Sequence, residues 1–145
     1  MIFTSPLSLM VSLKRKFILN LNQYRNTHFR VLNYAKQLYK DWMKPQIVKS
    51  KKKEKIMIVY KVYANSNRHY DVGNVCCVHE KFFEDAFVEL GKLPDDNKDY
   101  IPLVIYMRGG VDKENPRVDI EVIDFNEEGI HKLYEMIKGL LKEED

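Results

Sequence analysis

Two short segments of this chain carry residues that could do chemistry. The first is Arg68-His69-Tyr70-Asp71-Val72-Gly73-Asn74, and the second is Leu93-Pro94-Asp95-Asp96-Asn97. A turn signal, Asn65-Ser66-Asn67, precedes the first, and an apolar helical pattern separates the two. Loops at the ends of rigid elements are where a scaffold displays reactive groups. Carboxylates in such loops suit a hard cation such as Mg²⁺. One or two carboxylates with waters suffice when a phosphate supplies the remaining oxygens. The metal then activates water and neutralises charge on the phosphate. Lys81, within the intervening helix, could stabilise the developing charge. The same residues also have ordinary uses, because Asp before a helix is a common cap and Pro-Asp-Asp-Asn a common turn.

Other chemistries find less support. Cys76-Cys77 with His79 offers thiolate and imidazole, but adjacent cysteines chelate zinc poorly and no second pair exists. They read as small buried residues. His69, beside Asp71, could touch a phosphate or move a proton. Gly109-Gly110 lacks the Lys-Ser/Thr of a phosphate loop, so no nucleotide cofactor is expected. Nothing supports a Ser or Cys hydrolase triad. The lysine run 49–55, with Lys51, Lys52 and Lys53 at its centre, could track a phosphate backbone, as could Arg25, Arg30 and Arg68. Tyr24 and Tyr70 fall in expected loops and could stack on unpaired bases.

The elements that must position these groups follow from periodicity. Alternation over 14–22 predicts a strand, with Gln23-Tyr24-Arg25-Asn26 as a turn and Asn26 as the next helix cap. Phe29, Leu32, Ala35, Leu38, Tyr39 and Trp42 recur at helical spacing, giving a helix over 27–43 that Pro45 should end. Residues 56–63 read as a strand. Asn74 is the expected cap of a second helix, whose apolar stripe runs from Val75 to Leu90 and stops at Gly91. Segments 100–107 and 117–123 read as a hairpin with a long loop. Residues 127–141 form an amphipathic C-terminal helix. The order β-α-β-α-β-β-α predicts an α/β chain of the α+β type, with a single mixed sheet of about four strands and helices packed on it.

Composition sets the class. Hydrophobic residues at 45% and charged residues at 31% describe a globular chain, and the 145 residues fit one domain spanning 1–145. Only two of the 21 acids, Asp41 and Glu54, precede Asp71, so a basic half is followed by an acidic one. That polarity fits a phosphate-binding face beside an acidic site and equally an ordinary solvated surface. Two adjacent cysteines make no disulfide framework. The apolar start precedes its basic residues, the reverse of a signal peptide, and no run reaches the ~20 apolar residues of a membrane span. A cytoplasmic protein without membrane contact is expected.

The ordered segments resemble the RusA-like family of Holliday junction resolvases. Members carry an Arg-rich lead into Asp-Leu-Asp-Asn, a helix with a Lys near its start, and an apolar stretch ending in Asp-Asp. Here Arg68-His69-Tyr70 leads into Asp71-Val72-Gly73-Asn74, Lys81-Phe82-Phe83-Glu84-Asp85-Ala86-Phe87 is similar to the helix, and Leu93-Pro94-Asp95-Asp96 to the closing pair. The likeness is strongest over 68–100 and extends weakly to Asn22-Gln23-Tyr24-Arg25-Asn26, which adds Asn22 and Arg25 to the DNA-contact candidates alongside Arg68 and His69. It implies a RusA-like fold and a metal-dependent endonuclease. It further implies Mg²⁺ or Mn²⁺ as cofactor, branched DNA such as a four-way junction as substrate, and a homodimer. Asp71 and Asp96 correspond to family aspartates, and Lys81 to the catalytic lysine when about four residues are inserted; without the insertion Cys77 takes that place. Gly73 stands where a further aspartate belongs. Glu80 or Asp95 could replace it as a metal ligand, or the chain binds structured nucleic acid without cutting it. The helix between Asp71 and Asp96 is ~24 Å long, so unless the loops fold back, an active site shared across a two-fold axis is expected.

Overall fold

The computed structural model describes residues 1–142. Strands β1 (Ile2–Ser5), β2 (Ser8–Met10) and β3 (Lys16–Ile18) precede helices α1 (Leu21–Arg25) and α2 (Phe29–Ile47). Strand β4 (Ile56–Ala64), helix α3 (Val72–Glu89), strands β5 (Leu103–Val111) and β6 (Arg117–Asp124) and helix α4 (Glu127–Lys142) complete the order. A mixed four-stranded sheet runs β1-β6-β4-β5, with helices packed on it, and β2 and β3 form a separate ribbon. The α+β class expected from the pattern is therefore the one observed. No helix among the described residues is long and apolar enough to cross a membrane.

Strand β4 is the centre of this arrangement. It pairs parallel with β5 and antiparallel with β6. The 100–107 and 117–123 segments therefore do not form a hairpin; β4 lies between them. Parallel strands need a crossover of a dozen or more residues, and α3 supplies it. Alternation along β4 sorts its side chains onto two faces. Ile56, Ile58, Tyr60 and Val62 face α2 and α3, and Met57 and Val59 face α4. On the larger side Phe82, Phe83 and Phe87 of α3 meet Phe3, Phe17, Tyr39 and Tyr60 in a run of ring contacts between 5.2 and 6.5 Å.

Several boundaries differ from the sequence reading. The expected strand over 14–22 shrinks to β3, because its partner is only the three-residue β2. Residues 23–25 belong to α1 rather than a turn, and Asn20 caps it by accepting from Gln23 N at 2.8 Å. Asn26 ends α1, and His28 caps α2. Pro45 does not end α2, which continues to Ile47. A proline forfeits one hydrogen bond to the preceding turn, but Met43 and Ile47 are fully buried and hold the last turn in place. Asn74 lies inside α3, whose cap is Asp71. The first four residues after Met1, expected only as an apolar stretch, form β1 on the sheet edge. Gln46 closes that edge: its amide accepts from Thr4 N at 2.7 Å and donates to Thr4 O at 2.9 Å.

A buried polar chain ties β1 to both helices. Ser5 Oγ lies 2.6 Å from Tyr39 Oη and 2.7 Å from His79 Nδ1. His79 Nε2 is buried without a partner. Burial holds this imidazole down to about 3, so it stays neutral in the fold and protonates when the chain unfolds. The unfolded state then binds the extra proton, and stability falls as pH drops below the ordinary histidine value near 6.5. The full slope is about 1.4 kcal/mol per pH unit. Replacing His79 with Met should flatten the decline between pH 6 and 4 relative to the unmodified protein, as measured by urea unfolding at each pH. An unchanged slope would place the acid sensitivity elsewhere.

Candidate active site

Helix α3 presents Glu80 and Glu84 one turn apart, on the flank of the ridge that packs against β4. Residues four apart share a helix face. The loop after α3 brings Asp96 back to the same flank. A cleft of about 420 Å³ is lined by Tyr24, Lys36, Glu80, Lys81, Glu84, Asp85 and Asp96. Gly91 makes the return possible: it follows the end of α3 with φ of +78°, a left-handed conformation that favours glycine. Lys53 N donates to Lys92 O at 2.7 Å, and Lys92 Nζ donates to Ser50 O at 2.6 Å, which fixes the start of the loop.

Glu84 is only 8% exposed. Burial raises its carboxyl to about 9, with help from the charges of Glu80 and Asp96 and a hydrogen bond shared with Glu80. At neutral pH it is the protonated member of the pair. Tyr106 donates its hydroxyl to Glu80 Oε2. Tyr60 Oη is buried with no partner, and the charges of Glu84 and Glu80 push its pKa up further than burial alone does. Burial also raises Asp85, which faces Lys36. Lys81 Nζ sits 5.8 Å from the Tyr24 ring centroid, so α1 supplies one wall of the cleft.

The residues singled out in the sequence divide into three groups. Glu80, Lys81 and Asp96 come together in this cleft. Asp71 stays at the other end of α3, where its Oδ1 accepts from Gly73 N at 2.8 Å and Asn74 N at 3.4 Å. Nine residues of helix separate it from Glu80, ~13 Å along the axis. Asp95 turns onto its own loop and accepts from Asp96 N and Asn97 Nδ2, contacts that hold its carboxyl below the usual range. Asp95 does not line the cleft. The loop does fold back, so Asp96 meets its fellow carboxylates within one chain.

The DNA-contact candidates are spread over the surface. Asn22 and Arg25 are exposed on α1, next to the cleft wall made by Tyr24. Arg68 and His69 line a hollow at the α3 amino end with Arg108. Lys51, Lys52 and Lys53 line another with Phe125, whose ring carries Lys55 at 5.1 Å. Cys76 and Cys77 have thiols pushed up by burial, Cys76 to about 12.

Glu84 and Lys36 were not singled out in the sequence. Glu84 had a usable signal, an acid immediately beside the apolar stripe and four residues after Glu80. Lys36 had none, since it reaches the cleft from another helix.

Among the described residues no three Asp, Glu, His or Cys side chains already form a metal cage. The donor set nevertheless fits a hard cation of the Mg²⁺ or Mn²⁺ kind. Such ions take one or two carboxylates and keep several waters. Glu80 and Glu84 share a hydrogen bond, and Tyr60 Oη is a buried hydroxyl without a partner that feels the charge of both. No protein-family model matches the chain, and no curated protein matches its sequence.

The raised Glu84 carboxyl has a direct consequence for stability. Between the ordinary Glu value and about 9 the folded protein holds a proton that the unfolded chain has lost. Stability therefore falls as pH rises through that window. Glu84→Gln keeps the donor to Glu80 and removes the titration. Its melting temperature should exceed the original by several degrees at pH 9, at ~2–8 °C per kcal/mol, and the gap should close near pH 5. Differential scanning calorimetry at the two pH values measures this. A gap that does not change with pH would show that Glu84 ionises freely.

Proposed function

We propose that this protein is a metal-dependent endonuclease that hydrolyses phosphodiester bonds in branched DNA such as a four-way junction. The observation that carries the reading is the convergence of Glu80, Glu84 and Asp96 beside Lys81 in one cleft, with Glu84 held protonated. A buried carboxyl with a strongly raised pKa in a cleft is a common mark of a functional site. The ordered resemblance to RusA-like resolvases over 68–100 supports the substrate class.

In this reading Glu80, Glu84 and Asp96 would hold Mg²⁺ or Mn²⁺, which would activate a water and offset the charge of the phosphate. Glu84 would join this ligand set only as the carboxylate, so its proton would have to pass to solvent. Tyr106 keeps Glu80 oriented through its hydroxyl. Lys81, exposed at the mouth and steadied by the Tyr24 ring, is placed to meet a phosphate oxygen. Lys36 adds a second positive charge from α2. Arg25, Arg68 and the Lys51–Lys53 segment bind flanking phosphates, which makes affinity salt-sensitive.

Incubation with a labelled four-way junction and Mg²⁺ or Mn²⁺ tests the proposal. Symmetric nicks are expected, reduced at least ~100-fold by Asp96→Asn or Glu80→Gln, within the range for loss of groups that stabilise transition-state charge. Tight binding without nicks would favour the alternative, a non-cleaving module for structured nucleic acid. Asp71→Asn separates two arrangements. A side chain that only caps α3 tolerates Asn, and nicking then stays within about threefold. A loss as large as that of Asp96→Asn would mean that Asp71 reaches a metal from another chain.

A further inference from the structure

The β2–β3 ribbon has two unlike faces and an uncovered tip. Pairing sets Leu9 opposite Phe17, and both are buried. Their neighbours Met10, Lys16 and Ile18 turn outward and are exposed. Beyond the Met10–Lys16 pair the chain closes through a hydrogen-bonded turn. Val11 N donates to Arg15 O at 3.0 Å, and Ser12 Oγ accepts from Arg15 N at 3.0 Å and Lys14 N at 3.4 Å. The turn holds Leu13 at the apex with 101% of its surface exposed, so no other part of the described chain covers it.

Positive charge surrounds that apex. Lys14, Arg15 and Lys16 follow it directly, and all three are exposed. None of them pairs with an acid among the described residues. The first acid of the chain is Asp41, so the ribbon has no carboxylate of its own to offset them. Three adjacent cations without partners match a row of phosphates, where each contact releases a counterion. The root of the ribbon is tied to the cleft. The Phe17 ring stacks on Phe82 at 5.8 Å, and Tyr24, a wall of the cleft, meets the same Phe82 ring at 6.5 Å. The chain from Phe17 to Leu13 spans at most ~13 Å at ~3.3 Å per residue, so the tip stays close to the cleft wall.

We propose that the β2–β3 ribbon is a nucleic-acid arm, in which Lys14, Arg15 and Lys16 grip backbone phosphates while Leu13 inserts between two stacked base pairs. The inference rests on the nucleic-acid part of the reading above and not on cleavage. An apolar wedge among basic residues partly unstacks a base step and kinks the duplex, and the added backbone contacts offset the unstacking. Unstacking costs least where pairing is already disturbed. The arm therefore favours a branch point over an uninterrupted duplex. The shape of the tip argues against a lipid surface as its partner. Attachment to lipid scales with buried apolar area, and Leu13 stands alone between Ser12 and Lys14. The outward face behind it interrupts Met10 and Ile18 with Lys16. A single projecting side chain suits a single base step.

A four-way junction carrying 2-aminopurine beside the crossover, titrated with the full chain in EDTA, reads grip and insertion without metal chemistry. Binding should raise the emission at least ~2-fold as the base unstacks. Leu13→Ser should abolish that rise and the preference for the junction over a plain duplex, with an unchanged circular dichroism spectrum. Lys14→Gln, Arg15→Gln and Lys16→Gln together should weaken binding at least ~10-fold. They should also lower the slope of log affinity against log salt by about 2–3, at ~0.9 per phosphate. Junction binding that the folded triple variant leaves unchanged would overturn the arm. No rise with the unmodified protein, or a rise that survives Leu13→Ser, would overturn the wedge. Binding to phosphatidylserine vesicles but not to DNA, lost in Leu13→Ser, would assign the tip to a lipid surface and overturn the inference. Nicking in Mg²⁺ is scored separately. A chain that nicks while its arm variants bind normally refutes the arm alone, and one that meets the arm's outcomes without nicking refutes the nuclease reading alone.

Discussion

The packing of the α3 aromatic ridge onto β4 is the constraint on which the rest of the structure depends. Phe82, Phe83 and Phe87 are each at most 2% exposed, and they meet rings from β1, β3, β4 and α2. Truncating a buried Phe in such a setting costs about 3–5 kcal/mol, a large share of the ~5–15 kcal/mol that holds a domain folded. The ridge therefore fixes the rotation of α3 about its axis. Once Phe83 and Phe87 face inward, Glu84 must stand at the rim, half a step from the core, and Glu80 one turn before it. The acidic cleft follows from the aromatic packing.

The same rotation explains the fate of Gly73. It lies two turns before Glu80 on one helix face, so an acid there would extend the acidic stripe toward the amino end. A Cβ at that position would come within 3.2 Å of Asp71 Oδ1, the atom that caps the helix. An acid at 73 would also set its charge against that of Asp71. With glycine, Asp71 is free to serve as a cap, and the acidic groups gather further along the helix. Glycine at 73 thus leaves Asp71 Oδ1 room to cap α3.

What could be read from the sequence divides along the range of the interactions. Helices α2, α3 and α4 and strand β4 announce themselves by their own periodicity, because each buries a face of its own side chains. Strand β1 is four residues long, and its existence depends on β6, more than a hundred residues away. The false hairpin has the same origin. Strands β5 and β6 look adjacent in the chain, but the parallel crossover through α3 seats β5 on one side of β4 and leaves the other side to β6. In the cleft, Glu80, Lys81 and Asp96 carried local signals. Glu84 carried a signal too, an acid beside the apolar stripe four residues after Glu80, but its burial depends on packing across space, and Lys36 was hidden because no local pattern reports an approach from another helix.

The charge polarity of the chain takes on a different meaning in the fold. A basic first half and an acidic second half could have produced two separate faces. Instead the halves interleave. Lys40 of α2 pairs with Glu89 of α3 at 2.8 Å, and Lys53 pairs with Asp124 at 3.1 Å. Surface pairs of this kind contribute little stability, about 0–1 kcal/mol each, so their main effect is on where charge remains. Lys36 and Lys81 stay beside the carboxylates, and Lys51, Lys52 and Lys55 stay at a second hollow near Phe125. The acidic cleft therefore carries positive charge at its rim. The proton on Glu84 lowers the negative charge of the cleft that these lysines border.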